Sequence, residues 1–165
     1  MATKPDRLPF SPIKRALAER LAMDSTGETS IAQEHALIEQ ALAELEALVD
    51  GLPALPAPSV MTLMIAYLRE AIPAHCAHEE MALRRARPTT DAYAGAIPLI
   101  LAEHQTNAAI GQELADMLDD CRAAGSVAAP EALGQLTRQY FLLMRRHLAW
   151  EDFILDRLLG DDAAV

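Results

Sequence analysis

The residues with the clearest capacity for chemistry are a set of histidines and glutamates. The chain has five histidines, and four of them fall once per predicted long helix, each on the apolar stripe of that helix. Two of the four are followed four positions later by a glutamate. Residues four apart on a helix share a face, roughly 6 Å apart along the axis, so each such pair presents a nitrogen and a carboxylate to the same point. The six side chains are His35, His75, Glu79, His104, His147 and Glu151.

A cation is the simplest means of burying these six groups together. Buried glutamate is costly unless its charge is paired, and none of the 14 lysine and arginine residues lies on the four stripes. Four imidazoles and two carboxylates are too many for one ordinary zinc site. They suit two ions that share both carboxylates and take two imidazoles each. Mixed nitrogen and oxygen ligands without thiolate favour iron first, then manganese or zinc.

The pattern repeats within the chain. Residues 75–80 (HCAHEE) and 147–152 (HLAWED) share the pattern H-x-A-x-E-acid, and the Glu-His pair at 34–35 aligns with the pair at 103–104. The chain therefore consists of two helix pairs. Each pair supplies one histidine from its first helix and His-x-x-x-Glu from its second.

Other polar residues near the motif are interpreted more plainly. His78 aligns with a tryptophan rather than with a ligand, and we expect it at the rim of the site. Three carboxylates are interpreted as solvated groups or as outer hydrogen-bond partners of the ligands, and two tyrosines as core residues. These residues are Glu34, Glu80, Glu103, Tyr67 and Tyr140.

Local signals place the first two helices of the set. Ser30, with Gln33 three residues later, is a capping-box signature that opens the first helix, and a run rich in glycine and proline ends it. The second helix is predicted over residues 59–85. It contains Pro73, which we expect to bend the helix just before His75.

The other two helices complete an all-α fold. The third is predicted over about residues 94–124, with Pro98 in its first turn, and the fourth from residue 130 to 158. Four helices of this length with short connections predict an up-down-up-down four-helix bundle over residues 30–160. Residues 1–29 are predicted to be an N-terminal extension with a short helix.

This layout resembles the hemerythrin-like, or HHE cation-binding, family. The family has a histidine helix, an H-x-x-x-E helix, a second histidine helix and a second H-x-x-x-E helix, and the resemblance covers residues 30–158. It implies a non-haem centre of two iron ions with an oxo- or hydroxo-type bridge. Its ligands would be the same six residues.

One position departs from the oxygen-carrying members of that family. They add a fifth histidine one turn after the third-helix histidine, and here that position is Ala108. The set of four histidines and two glutamates is similar instead to bacterial iron-centre repair proteins and to the iron-sensing hemerythrin domain of a ubiquitin ligase. The repair proteins usually carry a cysteine-bearing N-terminal domain, and residues 1–29 contain no cysteine.

The resemblance therefore favours a protein that binds or senses O2, NO or peroxide, or that handles iron. The alternatives are a redox enzyme with two iron ions, an iron-centre repair protein, and a bundle in which the metal only stabilises the fold. The residues alone do not separate them.

Composition and charge limit the classes of partner that we expect the protein to bind. The formal net charge of −10 disfavours nucleic acid and anionic membranes, and no apolar run is long enough to span a bilayer. The N-terminus lacks the apolar stretch of a secretory signal. Cys76 and Cys121 form no CxxC pair, so we expect them reduced in a cytoplasmic protein. The sequence leaves a homodimer open.

Overall fold

The protein is described by a computed structural model over residues 30–85 and 91–159. Within these residues the fold is all-helical, as predicted, with no strand. The helices are α1 (Ile31–Gly51), α2 (Pro58–Ala66), α3 (Ile72–Arg85), α4 (Asp91–Ala124) and α5 (Pro130–Leu159). A π-helical turn at Tyr67–Ala71 joins α2 and α3 without a break, so four long rods result. The predicted N-terminal extension and its short helix lie outside the described residues.

The ends of the rods follow local chemistry. The Gln33 backbone N–H donates to the Ser30 hydroxyl at 3.3 Å, and the Ser30 N–H donates to the Gln33 side chain at 3.2 Å, which confirms the predicted capping box. Pro58 and Pro130 open α2 and α5, where a missing N–H costs nothing. Gly125 follows α4 with a φ of +67°, a conformation that favours glycine.

A π-helical turn stands where the sequence predicts a bend. Pro73 has no N–H to offer the carbonyl of Arg69, and its ring crowds that carbonyl. Immediately before the proline, the Ile72 N–H donates to the Tyr67 carbonyl, one residue beyond the usual α-helical partner. The wider turn accommodates the proline within a continuous rod, and the bend itself stays a prediction. Such π-helical turns occur often near functional sites.

The start of α4 corrects a prediction. The helix begins at Asp91, about three residues before the predicted start, so Pro98 lies inside it rather than in its first turn. Pro98 is exposed.

Two apolar clusters fill the interior. The larger one includes Leu42, Met61, Leu114 and Tyr140. The smaller one contains Leu83, Ala96, Ile100, Ile154 and Leu155. On three of the rods, the predicted ligands fall in sequence between members of the two clusters. The histidine and glutamate side chains therefore form a polar layer between two apolar ones.

Contacts between α1 and α5 occur in reversed order along the two helices. His35 contacts Asp152, whereas Glu46, further along α1, contacts Arg145. These two helices are thus antiparallel. The up-down-up-down order of the complete bundle stays a prediction. None of the helices in residues 30–85 and 91–159 combines the length and apolar character that a bilayer crossing requires.

Candidate metal centre

The structure brings all six predicted site residues into the polar layer. Each keeps 5% or less of its surface exposed, and the two glutamates keep none. One histidine comes from α1 and one from α4. A His-x-x-x-Glu pair comes from α3 and another from α5, where the four-residue spacing places both side chains on the inner face.

Glu79 lies between histidines from three rods. Its Oε1 atom is 2.8 Å from Nε2 of His35. Its Oε2 atom is 3.3 Å from Nε2 of His75 and 3.2 Å from Nε2 of His104. One carboxylate therefore reaches imidazoles of both halves of the chain.

Glu151 occupies the corresponding position in the second half. Its Oε1 atom is 2.9 Å from Nε2 of His104 and 3.0 Å from Nε2 of His147, and its Oε2 atom is 3.8 Å from Nε2 of His35. Both glutamates thus face histidines from both helix pairs. This is the geometry that two shared carboxylates need.

The six residues divide into two overlapping groups that could each hold a metal ion. His35 and His75 form one group with Glu79 and Glu151, and His104 and His147 form the other with the same two glutamates. Within each group the candidate ligand atoms lie within 4.8 Å of one another. Two cations with two imidazoles each and both carboxylates in common fit this arrangement.

The first helix pair has short hydrogen bonds on the outer nitrogens of its histidines. Nδ1 of His75 lies 2.6 Å from a carboxylate oxygen of buried Glu34, and Nδ1 of His35 lies 2.6 Å from Asp152. A carboxylate on Nδ1 fixes the tautomer with Nε2 as the ligand atom and increases its basicity.

The second helix pair has longer contacts at the equivalent atoms. Nδ1 of His147 lies 2.9 Å from Glu103. Nδ1 of His104 is 3.6 Å from Glu80, beyond hydrogen-bond distance, and has no hydrogen-bond partner. Glu34 and Glu103 are thus outer partners of the histidines, one of the two roles predicted for them.

Asp152 is an outer partner that the sequence interpretation did not single out. It is the final acid of the second H-x-A-x-E-acid motif, so the repeat carried the signal. The sequence does not show which residue this acid contacts. In the structure, its position on α5 brings it to His35 on α1.

Without a cation, the surroundings of the centre raise the pKa values of two of its histidines. Burial, the largest single effect, lowers the pKa of His35, but hydrogen bonds and charges of Glu79 and Asp152 outweigh it and raise that pKa to about 9. Burial also lowers the pKa of His104, while bonds and charges of Glu151 and Glu79 raise it to about 10.

The glutamate at the centre shifts in the opposite direction. Burial would raise the pKa of Glu79, but the close contacts of His104 and His35 and the charges of neighbouring histidines lower it below its usual range. In the metal-free centre, the lowered pKa of Glu79 and the raised pKa values of His35 and His104 favour an ionised carboxylate beside protonated imidazoles. A metal cation would replace those protons at the same ligand atoms.

Unsatisfied inner atoms support that replacement. Nε2 of His75, Oε2 of Glu79 and Oε2 of Glu151 are fully buried and have no hydrogen-bond partner. Buried polar atoms are nearly always satisfied, and these three are all lone-pair donors to a cation. The donor set therefore fits a bound metal pair.

Comparison with known protein families also indicates a cation-binding domain. The hemerythrin HHE cation binding domain matches residues 26–159, most of the chain. The protein belongs to the hemerythrin HHE family. No curated protein and no solved structure matches the chain, so the family relationship rests on the domain match.

One position in this hemerythrin domain differs from the sequence interpretation. Ala108, the position one turn after His104 that corresponds to the fifth histidine of oxygen carriers, is exposed, and Asn107 is buried instead, with 5% of its surface accessible. An α-helix has 3.6 residues per turn, so the positions three and four residues after His104 are equally good candidates for the inner face on sequence alone. The Nδ2 atom of Asn107 has no hydrogen-bond partner.

Three further residues lie as expected for the family layout. The His78 side chain is 37% exposed at the rim, where its Nδ1 contacts Glu34 at 3.2 Å. Tyr67 and Tyr140 are buried core residues, and their hydroxyl groups have no hydrogen-bond partner.

A surface cavity of about 470 Å³ between α1 and α5 borders His35, one of the six candidate ligands. Its lining includes His35 and Asp152, together with Glu39 and Arg145 and several alanines. The small alanine side chains leave this space open. A small molecule can therefore approach His35 from this side.

Proposed function

We propose that the protein holds two iron ions at this centre and binds or senses a small ligand, O2, NO or peroxide, there. The observation that carries the proposal is the pair of buried ligand groups that share Glu79 and Glu151. Membership of a cation-binding family supports the presence of metal.

Iron is favoured by the donor atoms. The ligand groups contain only imidazole nitrogens and carboxylate oxygens, a set that suits iron, manganese or zinc. The nearest thiol on α3 is not an available thiolate, because burial and the charges of nearby glutamates raise the pKa of Cys76 to about 12. A bound iron pair would supply reversible redox chemistry and affinity for diatomic molecules.

The residues of the chain hold and isolate this centre. Four imidazoles and two carboxylates give each position four protein donors, which leaves room for an external ligand. Asp152 and Glu34 orient the histidines through Nδ1. The apolar clusters on either side limit water, and the cavity beside His35 offers a route for a small molecule.

Metal analysis combined with absorption spectroscopy tests this function. We expect the purified protein to contain about two iron ions per chain, and its spectrum to change on reduction and again on exposure of the reduced protein to O2 or NO. Protein that neither contains metal nor takes up Fe2+ would refute the proposal. Turnover of peroxide or NO with an electron donor would indicate a redox enzyme instead.

A further inference from the structure

The two metal positions of the candidate centre are related by the internal repeat but are not equal. We call the position between His35 and His75 the first position, and the position between His104 and His147 the second. Both share Glu79 and Glu151. The repeat relates the two positions residue by residue, so any difference between their surroundings is a matched comparison.

The hydrogen bonds on the outer nitrogens differ most clearly. At the first position, both Nδ1 contacts measure 2.6 Å, from His35 to Asp152 and from His75 to Glu34. At the second position, the His147 contact to Glu103 is 2.9 Å, and His104 has no hydrogen bond on Nδ1.

The charges around the carboxylates that accept these hydrogen bonds also favour the first position over the second. Glu103 also accepts from Arg146 at 3.0 Å, and this permanent cation withdraws negative charge from the carboxylate that His147 uses. Glu34 also contacts Nδ1 of His78 at 3.2 Å, and the residue before His75 that matches Arg146 is Ala74. Glu34 is also more deeply buried than Glu103, so solvent screens its charge less.

These differences bear on metal affinity. A carboxylate that accepts a short hydrogen bond from Nδ1 makes Nε2 a stronger donor, and loss of such a partner typically weakens metal binding by about 10- to 100-fold. The first position has two such partners and the second has one weaker partner. Asp152 is exposed to solvent on its other side, but its bond to the buried His35 ring is as short as that of Glu34.

We infer that the first position holds its cation more tightly than the second, so that the second cation is the exchangeable one. This inference rests on the proposed function only in requiring two metal ions at one centre. It adds that the protein passes through a state with one ion, at His35 and His75, when metal is scarce. The second ion would then report the level of available metal.

Anaerobic titration of the metal-free protein with Fe2+, in competition with a chromophoric chelator, tests the inference. We expect two binding steps whose affinities differ by at least about tenfold. The measurement is made at equilibrium because the cavity beside His35 could speed metal release from the first position regardless of affinity. Two equal steps, or one cooperative step, would overturn the inference while leaving the metal pair intact.

The repeat supplies matched variants. Asp152→Asn keeps the shape of the His35 partner but removes its charge, and we expect it to weaken the tighter step by about tenfold or more. Glu80→Gln makes the equivalent change beside His104, where no hydrogen bond exists, and should leave both steps within about threefold. Equal effects of the two variants, or a loss confined to the weaker step, would contradict the assignment.

The same titration separates this inference from the proposed function. If wild-type protein binds no Fe2+, or only one ion at any concentration, the proposal of an iron pair fails. If it binds two ions with indistinguishable affinity, only the inequality of the positions fails. The wild-type titration decides this without the variants, and circular dichroism establishes that each variant is folded.

Discussion

Glu79 and Glu151 have no exposed surface, and the contacts of their carboxylate oxygens are with histidine nitrogens. A buried carboxylate needs a compensating charge. The raised pKa values of His35 and His104 favour protons there in metal-free protein, and metal cations can supply the charge at the same atoms. The identity of the six residues therefore explains both why the centre can be buried and why it can bind metal.

Removal of a single ligand tests the role of the six residues. We expect His147→Ala and Glu151→Ala each to lower the metal content from about two ions to one or fewer, because His147 is a donor of the second position and Glu151 is a donor of both. His78→Ala is the control, since that residue belongs to neither ligand group. Metal analysis after gel filtration measures the result. Full metal content in both ligand variants would remove these residues from the site.

Asn107 gives a prediction about stability. Its buried Nδ2 has no hydrogen-bond partner, and an unsatisfied buried donor costs about 1–3 kcal/mol. Asn107→Leu has similar size and removes the donor, so we expect the free energy of unfolding of the metal-free protein to rise by about 1 kcal/mol. Denaturant unfolding measures it.

Gln105→Leu, on the exposed face of α4, serves as the control for Asn107→Leu. That variant should change the free energy of unfolding by less than about 0.5 kcal/mol. A clear loss of stability in Asn107→Leu would show that the amide has a partner in solution, such as an ordered water.

At the scale of the helices, the sequence predicts what short-range chemistry controls. The Ser30 capping box follows from neighbouring residues, and the structure confirms it. The π-helical turn before Pro73 and the early start of α4 at Asp91 could not be predicted in the same way. Proline rules alone predict a bend or a helix start, whereas the structure keeps both prolines inside continuous helices.

The capping box also couples helix stability to the metal centre. Glu34 and His35 lie in the first turns of α1, directly after Ser30. Ser30→Ala removes the cap, which is worth about 1 kcal/mol, so we expect a lower melting temperature and weaker metal binding together. Isothermal titration with Fe2+ under anaerobic conditions measures the binding.

Ser59→Ala is the matched change for Ser30→Ala. Ser59 is exposed at the start of α2, whose N-cap residue Ala57 makes no side-chain bond. It should alter neither quantity. Unchanged metal affinity in Ser30→Ala would show that the first turn of α1 is held by packing alone.

At the scale of the molecule, the polar layer lies between two apolar clusters. The sequence predicts this arrangement because the ligands lie on the same stripes as the apolar residues. It could not predict the inequality of the two halves. That difference lies in how closely each outer carboxylate approaches a histidine of another helix, at 2.6 Å for Asp152 and 3.6 Å for Glu80.

The effect of metal on stability should grow with pH. In metal-free protein the pKa values of His35 and His104 are raised to about 9 and about 10 from an ordinary value of 6.5. Protonated histidines therefore stabilise the folded state fully below about pH 6.5, and that contribution is lost as the pH rises through 9 to 10. Metal-loaded protein has the opposite dependence, because fewer protons compete for the ligand nitrogens at higher pH.

Thermal unfolding of metal-loaded and metal-free protein from pH 6 to pH 9 measures this pH dependence. We expect the difference in melting temperature between metal-loaded and metal-free protein to increase steadily over that range, with proton release on addition of Fe2+ at pH 7. Groups away from the centre, such as Cys121, titrate in both forms and cancel in the difference. A difference that stays constant with pH would mean that metal and protons do not compete for the same nitrogens, and that the buried histidines do not bind the metal.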